Sequence, residues 1–187
     1  MSAIPSKCRI GVIGDRLCGK RAFIQRLLHN DYEKNNCIQL GPEYHYKTEL
    51  RMDHLYTWTF CVCPSYEKMR AITAANLLGV DAVILCCDRS SVTIPIDQWI
   101  RAYIGFIRET TSSPIFIVYT KSDIPIPYTT HTHDVSTLDV QSLGETSAKY
   151  DTGFEEILDS IYASFRQQHT VKKKAFSWCQ WLYSCCR

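Results

Sequence analysis

Eight residues near the start of the chain could bind a phosphate group. They read Gly14-Asp15-Arg16-Leu17-Cys18-Gly19-Lys20-Arg21 and contain the pattern G-x-x-x-x-G-K. The two glycines let the backbone curl so that its N–H groups point at an anion, and a helix that begins here adds its dipole. The lysine adds a positive charge for terminal phosphate oxygens. The pattern therefore predicts a phosphate-binding loop, although a glycine-rich turn that only caps a core strand is the alternative.

The residue after the lysine argues against a magnesium ion at this loop. In the full pattern a Ser or Thr hydroxyl at this position holds the metal. Here the residue is Arg21, which has no acceptor and cannot ligate a metal. The same eight residues thus predict phosphate binding and question metal-assisted chemistry.

The segments around this loop predict an α/β fold. A strand at residues 7–13 and a helix at 19–30 flank the loop. Further strands are predicted at 43–52, 55–63, 81–87, 114–119 and 140–143, and further helices at 67–78, 96–109 and 154–166. The second and third strands read as an antiparallel hairpin, and the others alternate with helices. We therefore expect one six-stranded, mostly parallel sheet with one antiparallel hairpin strand and helices on both faces.

Ligands of such sheets bind at the carboxyl ends of the strands, so the loops after the first, fifth and sixth strands should converge. The second of these loops reads Thr120-Lys121-Ser122-Asp123, and the third contains Ser147-Ala148-Lys149. Asp123 has the chemistry to select guanine, because one carboxylate accepts both the N1–H and the exocyclic amine of that base. Adenine has no such pair of donors.

Together with the glycine loop, these segments resemble the guanine-binding elements N/T-K-x-D and S-A-K of the Ras-superfamily small GTPases. The order and spacing match from about residue 7 to residue 168. The resemblance implies that Lys121 lies along the base, that the Ala148 N–H donates to guanine O6, and that Tyr32 packs edge-on against the base. It implies GTP or GDP as the ligand. The implied nucleotide-binding residues are Gly14, Asp15, Arg16, Leu17, Cys18, Gly19, Lys20, Arg21, Tyr32, Thr120, Lys121, Asp123, Ser147, Ala148 and Lys149.

Other segments resemble Rab-type members of that superfamily. Residues 39–44 resemble the run T-I-G-V-D/E-F, and residues 67–73 resemble E-R-F-R-S-I-T. The ending Cys185-Cys186-Arg187 is similar to the double-cysteine tails that receive geranylgeranyl groups. The resemblance implies a protein of vesicle traffic that presents a surface to effector and regulator proteins.

The family positions that hold magnesium and the attacking water carry other residues here. The loop threonine that closes over the metal is replaced by Gln39. The segment D-T-A-G-Q becomes residues 62–66, with Val62 for the Asp, Ser65 for the Gly and Tyr66 for the Gln. Arg16 stands where the family has a small residue beside the γ-phosphate. No Asp lies between Asp53 and Asp81 that could substitute.

Phosphoryl transfer depends almost entirely on positioning and on charge neutralisation by the metal. We therefore predict no catalytic residues, no metal ligands among the side chains, and very weak or absent GTP hydrolysis. The lost γ-phosphate contacts also predict a shape that does not distinguish GTP from GDP.

Arg21 suggests a replacement for the missing metal. Its guanidinium could bind a β-phosphate oxygen in a charge-assisted hydrogen bond. In the alternative, Arg21 points to solvent and the site is empty or weak.

For the protein as a whole, the alternatives are an active GTPase completed by a partner and a nucleotide-free scaffold. Nothing in the sequence resembles the lid or acceptor site of a P-loop kinase.

Composition limits the remaining function classes. The chain has 187 residues, which suits a domain over residues 1–168 and a tail over 169–187. The formal net charge of +2 gives no indication of a nucleic-acid partner. Ten cysteines without a secretory signal indicate a reduced, cytosolic protein. The sequence contains no run of about 20 apolar residues, which a membrane-spanning helix would need.

The tail predicts attachment to a membrane surface. It combines Lys172-Lys173-Lys174 with Phe176, Trp178, Trp181 and Tyr183. Cys179, Cys185 and Cys186 could accept lipids, and we expect lipidation at Cys185 and Cys186. A basic cluster plus lipid chains gives the two signals that stable anchoring needs, here on the cytoplasmic face of an intracellular membrane. The alternatives are a final amphipathic turn that packs on the domain and a disordered tail with free thiols.

Overall fold

A computed structural model describes residues 6–33, 39–51, 54–88, 90, 94–125 and 138–164 of the chain. By its internal contacts the chain divides into two units, Met1–Thr152 and Gly153–Arg187. The cysteines that are predicted to accept lipids and the basic cluster of the predicted tail lie outside the described residues.

The first unit contains the elements that flank the predicted loops. In chain order they are β1 (Ser6–Gly14), α1 (Lys20–His29), β2 (Glu43–Arg51), β3 (His54–Val62), a 3₁₀ turn (Glu67–Met69), α2 (Arg70–Leu77), β4 (Ala82–Asp88), α3 (Ile96–Arg108), β5 (Ile115–Thr120) and β6 (Gln141–Glu145). In the second unit, residues 157–164 form a helix, α4.

The strands form one six-stranded sheet in the order β2-β3-β1-β4-β5-β6. Only β2 and β3 pair antiparallel, and every other neighbouring pair is parallel. The predicted fold class is confirmed. Because β1, β4 and β5 lie side by side and parallel, their carboxyl ends meet at one edge of the sheet.

Helices cover both faces of this sheet. Residues of α2 and α3 belong to one apolar cluster with alternate residues of the central strands, among them Leu77, Ile100 and Leu85. The intervening strand residues point to the opposite face and are also buried, as is the apolar side of α1. All seven residues of β4 are buried, which explains the unbroken apolar run that predicted it.

Element boundaries differ from the predicted ones by one or two residues, except at the helices predicted for residues 67–78 and 154–166. The segment 67–78 starts as the 3₁₀ turn, in which the Met69 N–H donates to the Tyr66 carbonyl over 2.8 Å. It ends at Leu77 because Leu78 is extended and Gly79 has a φ of +68°. The helix predicted at 154–166 begins three residues later, at 157, and the predicted residues 165 and 166 lie outside the described residues.

Gly14, at the end of β1, is the glycine at which an added side chain would fit least among those described. Its φ is +145°, and a Cβ there would lie 2.2 Å from the backbone oxygen of Cys86. The backbones of β1 and β4 therefore approach closely at the start of the phosphate loop, and only glycine permits this.

We expect Gly14→Ala to lower the free energy of unfolding by about 3 kcal/mol or more, because it combines an unfavourable φ with a backbone clash. Gly79→Ala is the matched control, since Gly79 also has a positive φ but a Cβ added there would meet no atom within 4 Å. The control should cost about 1–2 kcal/mol. Urea denaturation measures both variants, and equal losses would contradict a close approach at Gly14.

Candidate functional site

The predicted phosphate loop connects β1 to α1. Gly19 precedes the helix in the left-handed region, with a φ of +92°, and its carbonyl accepts the Phe23 N–H over 2.8 Å. Leu17 also has a positive φ of +60°, although it is not a glycine, and its side chain is 57% exposed. Cys18 is buried beneath the loop. The loop is thus curled as a phosphate-binding loop requires, at some cost in strain at Leu17.

The Lys20 ammonium points back into this curl. The residue is only 6% exposed. Its Nζ donates to the carbonyl oxygens of Gly14 over 3.1 Å and Asp15 over 2.8 Å, and to the hydroxyl of Ser65. Ser65, which the sequence resemblance aligns with the family's γ-phosphate-sensing glycine, thus contacts the loop lysine directly.

The Asp15 side chain faces α3. Its carboxylate accepts the indole N–H of Trp99 over 2.7 Å and the hydroxyl of Tyr103 over 2.6 Å. Burial, followed by the hydrogen bond to Asp15, raises the pKa of Tyr103 above its usual value, so the hydroxyl stays protonated and donates. The Asp15 carboxylate therefore anchors the loop to α3, and only the backbone of Asp15 is left to bind a ligand.

The second predicted loop is attached to the first by Thr120. Its hydroxyl contacts the carbonyl oxygen of Cys18 in the phosphate loop and lies 3.3 Å from that of Cys87 at the end of β4. Lys121 follows with a φ of +56°, and its ammonium pairs with the buried carboxylate of Asp88 over 2.7 Å. A Cβ on Gly19 would lie 3.8 Å from Cε of Lys121, so the lysine stem runs beside the phosphate loop.

The third loop meets the second at Asp123. The Ser147 hydroxyl donates to the Asp123 carboxylate over 2.6 Å, and the Ser122 N–H donates to the Thr146 carbonyl over 3.0 Å. The Ala148 carbonyl accepts the Nε–H of Arg26, from α1, over 2.9 Å. The three loops converge, as the sheet topology predicted.

Tyr32 and Lys149 border the same region. Tyr32 is half-buried, and the Lys149 ammonium lies 4.7 Å from the centre of the Tyr150 ring. A hydrogen bond to Tyr150 raises the pKa of Lys149, and Asp123 and Tyr32 lie close enough to add to this shift. Lys149 therefore stays charged next to the Asp123 carboxylate.

Arg21 has a partner that sequence reasoning did not find. Its Nε–H donates to Oε2 of Glu43 over 2.7 Å, and its Nη2 contacts Oε1 of the same carboxylate. The two side chains are 29% and 31% exposed. The alternative in which Arg21 points to solvent is therefore wrong. The residues lie 22 positions apart, and no spacing pattern indicates the pair.

Residues at the other substituted positions also contact protein. The Gln39 amide donates to the carbonyl oxygens of Gly41 over 2.9 Å and Val62 over 2.7 Å. The Arg16 guanidinium lies 5.5 Å from the centre of the Tyr66 ring. Tyr66 also lines a cavity of about 250 Å³ between the end of β1, α2 and α3. Contacts between protein groups thus hold the segments around residues 39 and 66 in place beside the phosphate loop.

Among the described residues, no group of three His, Cys, Asp or Glu side chains could hold a metal ion. A carboxylate does lie beside the phosphate loop, that of Glu43, but Arg21 occupies both of its oxygens. In the described part of the chain, no helix has the length and apolar character needed to cross a membrane.

We expect Thr120→Val to lower the free energy of unfolding by about 1–3 kcal/mol, because it removes the hydroxyl that reaches the Cys18 and Cys87 carbonyls without changing the side chain's shape. Thr120→Ser is the matched control, since it keeps the hydroxyl and loses one methyl group, worth about 0.8 kcal/mol. Denaturant titration of both variants checks this. A larger loss for the serine variant would mean that methyl packing, rather than hydrogen bonding, joins the two loops.

Comparison with known proteins gives distant relatives of one kind. No family model matches the chain. The chain is 23% identical over 174 residues to Ras-related protein Rab-32C of Dictyostelium discoideum, with 89% of this chain and 77% of the relative covered. It is 25% identical over 182 residues to Ras-related protein Rab-11B of the same organism, with 88% and 78% covered.

Rho-related GTP-binding protein RhoE of Homo sapiens is 26% identical over 151 residues, which cover 79% of this chain. The match spans 57% of the length of that relative. The sheet order, the three converging loops and these relatives agree with the sequence resemblance, and the chain is a homologue of the Ras-superfamily small GTPases.

Proposed function

We propose that this chain is a Rab-like guanine-nucleotide-binding protein that holds its nucleotide without a directly ligated magnesium ion and hydrolyses GTP very slowly or not at all. One observation carries the proposal. Thr120 ties the base-binding loop to the phosphate loop at Cys18, while Ser147 fixes the carboxylate of Asp123. A base and a phosphate group of one ligand could therefore be held at the same edge of the sheet.

Selection of guanine would come from Asp123 and its neighbours. A carboxylate that is held in place by Ser147 can accept the paired donors of guanine. Arg26 of α1 holds the Ala148 carbonyl and so ties the third loop to α1 beside the Ala148 N–H, which the resemblance assigns to guanine O6. Lys121 and Tyr32 would contact the base along its face and edge, as the family resemblance implies.

The phosphates would be held by the backbone of residues 14–19, by the start of α1 and by two cations. Lys20 already makes hydrogen bonds to oxygen atoms inside the curl, so a phosphate oxygen would share or replace these acceptors. Arg21 would supply the second cation in place of a metal. This arrangement does not require a divalent ion to neutralise the ligand.

Slow hydrolysis follows from the contacts of the substituted residues. Both donations of the Gln39 amide go to backbone carbonyls, and Tyr66 carries no group that could orient an attacking water as an amide does. Val62 cannot bind a metal-bound water. Without the metal and without water positioning, the chief contributions to phosphoryl transfer are missing.

A second candidate function is a nucleotide-free interaction scaffold. The observation that favours it is that Lys20 and Arg21 have oxygen partners within the protein. For either function we propose that the domain extends over residues 1–168. The tail, 169–187, would attach to the cytoplasmic face of an intracellular membrane through lipids on Cys185 and Cys186, where effector and regulator proteins of vesicle traffic would bind.

Titration with fluorescent GDP, in competition with ADP, tests the proposed base selection. We expect the protein to prefer GDP, and Asp123→Asn to weaken GDP binding about 10–100-fold, because an amide N–H would face the donors of guanine. Asp139→Asn is the control, since that carboxylate is exposed and pairs with Arg108 at 2.5 Å.

Equal affinity for ADP and GDP, or no effect of Asp123→Asn, would contradict base selection at this site. If the folded protein binds neither nucleotide, the scaffold function takes the place of the proposed one.

A further inference from the structure

We propose that Glu43 competes with the nucleotide phosphates for Arg21. Nucleotide binding would then change the structure by breaking one ion pair, rather than through contacts to a divalent ion. This inference rests on the proposed function, because it names how the same site is regulated. Glu43 holds the guanidinium while the phosphate loop is unoccupied. A bound nucleotide takes the guanidinium over, and the start of β2 loses its attachment to α1.

The geometry of the pair makes the two anions alternatives. Nε and Nη2 of Arg21 both face the Glu43 carboxylate, which is a two-point, charge-assisted contact. A guanidinium edge fits carboxylate and phosphate oxygens equally well. One edge cannot hold both anions in this way, so a phosphate that engages it must displace Glu43.

The pair joins the start of α1, directly after the phosphate loop, to the start of β2. Arg21 is the second residue of α1, directly after Lys20, and Glu43 is the first residue of β2. The strand β2 lies at the edge of the sheet and pairs only with β3, where Glu43 is opposite Val62. Displacing Glu43 therefore frees the end of an edge strand rather than a strand held on both sides.

The segment before β2 is held by neutral contacts. Among the described residues, the side-chain contact that joins residues 39–42 to the end of β3 is the Gln39 amide on the Val62 carbonyl. A neutral hydrogen bond contributes about 1 kcal/mol, less than a charge-assisted pair. Losing the ion pair should therefore loosen residues 39–42, whereas β2 beyond Glu43 keeps its pairing with β3.

Charge gives the exchange a direction. With no metal to neutralise it, a diphosphate carries more negative charge than a carboxylate and attracts the guanidinium more strongly. Breaking the Arg21–Glu43 pair consumes part of the binding free energy, which limits affinity. Removing the Glu43 charge should therefore tighten nucleotide binding, but only while Arg21 is present to be released.

A double-mutant cycle with fluorescent GDP in EDTA tests the competition. We expect Glu43→Gln to tighten GDP binding about tenfold and Arg21→Gln to weaken it about tenfold. In the Arg21→Gln background, Glu43→Gln should change affinity by less than about twofold. Circular dichroism of all four proteins checks that each variant is folded.

Hydrogen exchange distinguishes the competition from a purely structural ion pair, because GDP would not change the exchange rates near a pair that stays intact. GDP should speed exchange of residues 39–42 in the wild-type protein, and Glu43→Gln should already exchange fast there without GDP. Residues 115–120, in the buried strand β5, should not change and serve as the internal control.

Three results would overturn the competition. Equal tightening by Glu43→Gln in both backgrounds would mean simple charge repulsion. Weakening by Glu43→Gln that appears only with magnesium would mean that Glu43 holds a metal. Unchanged affinity would mean that the pair only braces the fold. If the four folded proteins all fail to bind GDP, the proposed function fails and this inference fails with it.

Discussion

Two neighbouring cations, Lys20 and Arg21, must be compensated at the start of α1, where the helix dipole is also positive. The protein provides oxygen atoms for both. Lys20 uses backbone carbonyls of its own loop and the Ser65 hydroxyl, and Arg21 uses the carboxylate of Glu43. These contacts also determine which loops lie against the phosphate loop. Much of the site's arrangement follows from this need for charge compensation.

The substituted positions fit the same requirement. A magnesium ion next to Arg21 would add two positive charges where a guanidinium already stands, and it would find no oxygen ligand on that side chain. Gln39 and Ser65 align with the family residues that contact the metal and the γ-phosphate, and here both side chains form hydrogen bonds to protein atoms. In the proposed function, the chain trades metal-dependent chemistry for a site whose cations and loops are held by protein contacts.

The sequence predicted the fold well because the fold depends on local patterns. Continuous apolar runs such as the one in β4 identify strands buried on both faces, and alternation with helices makes the sheet parallel. Convergence of the three loops then follows from topology. The starts of the helices predicted at 67–78 and 154–166 departed from the pattern, the first because a 3₁₀ turn and an α-helix share most of their sequence preferences.

The side-chain contacts within the site could not be predicted in the same way. Arg21 and Glu43 are 22 positions apart, and Asp15 is 84 positions from Trp99. No periodicity connects such residues, since they meet only after the strands have paired. Family resemblance assigned Asp15 and Arg21 to the ligand, whereas the structure gives both side chains protein partners. The contact between Asp123 and Ser147 joins two segments that the resemblance had already brought together.

The central claim is that the site holds a guanine nucleotide without a divalent ion. The most direct test measures the equilibrium affinity for GDP with millimolar magnesium and with an excess of EDTA. We predict affinities that agree within about twofold, since the described residues hold no group of metal-ligating side chains and, in the proposed function, Arg21 supplies the charge. A loss of tenfold or more on chelation would contradict it, because such a loss would require a metal ion that this chain binds.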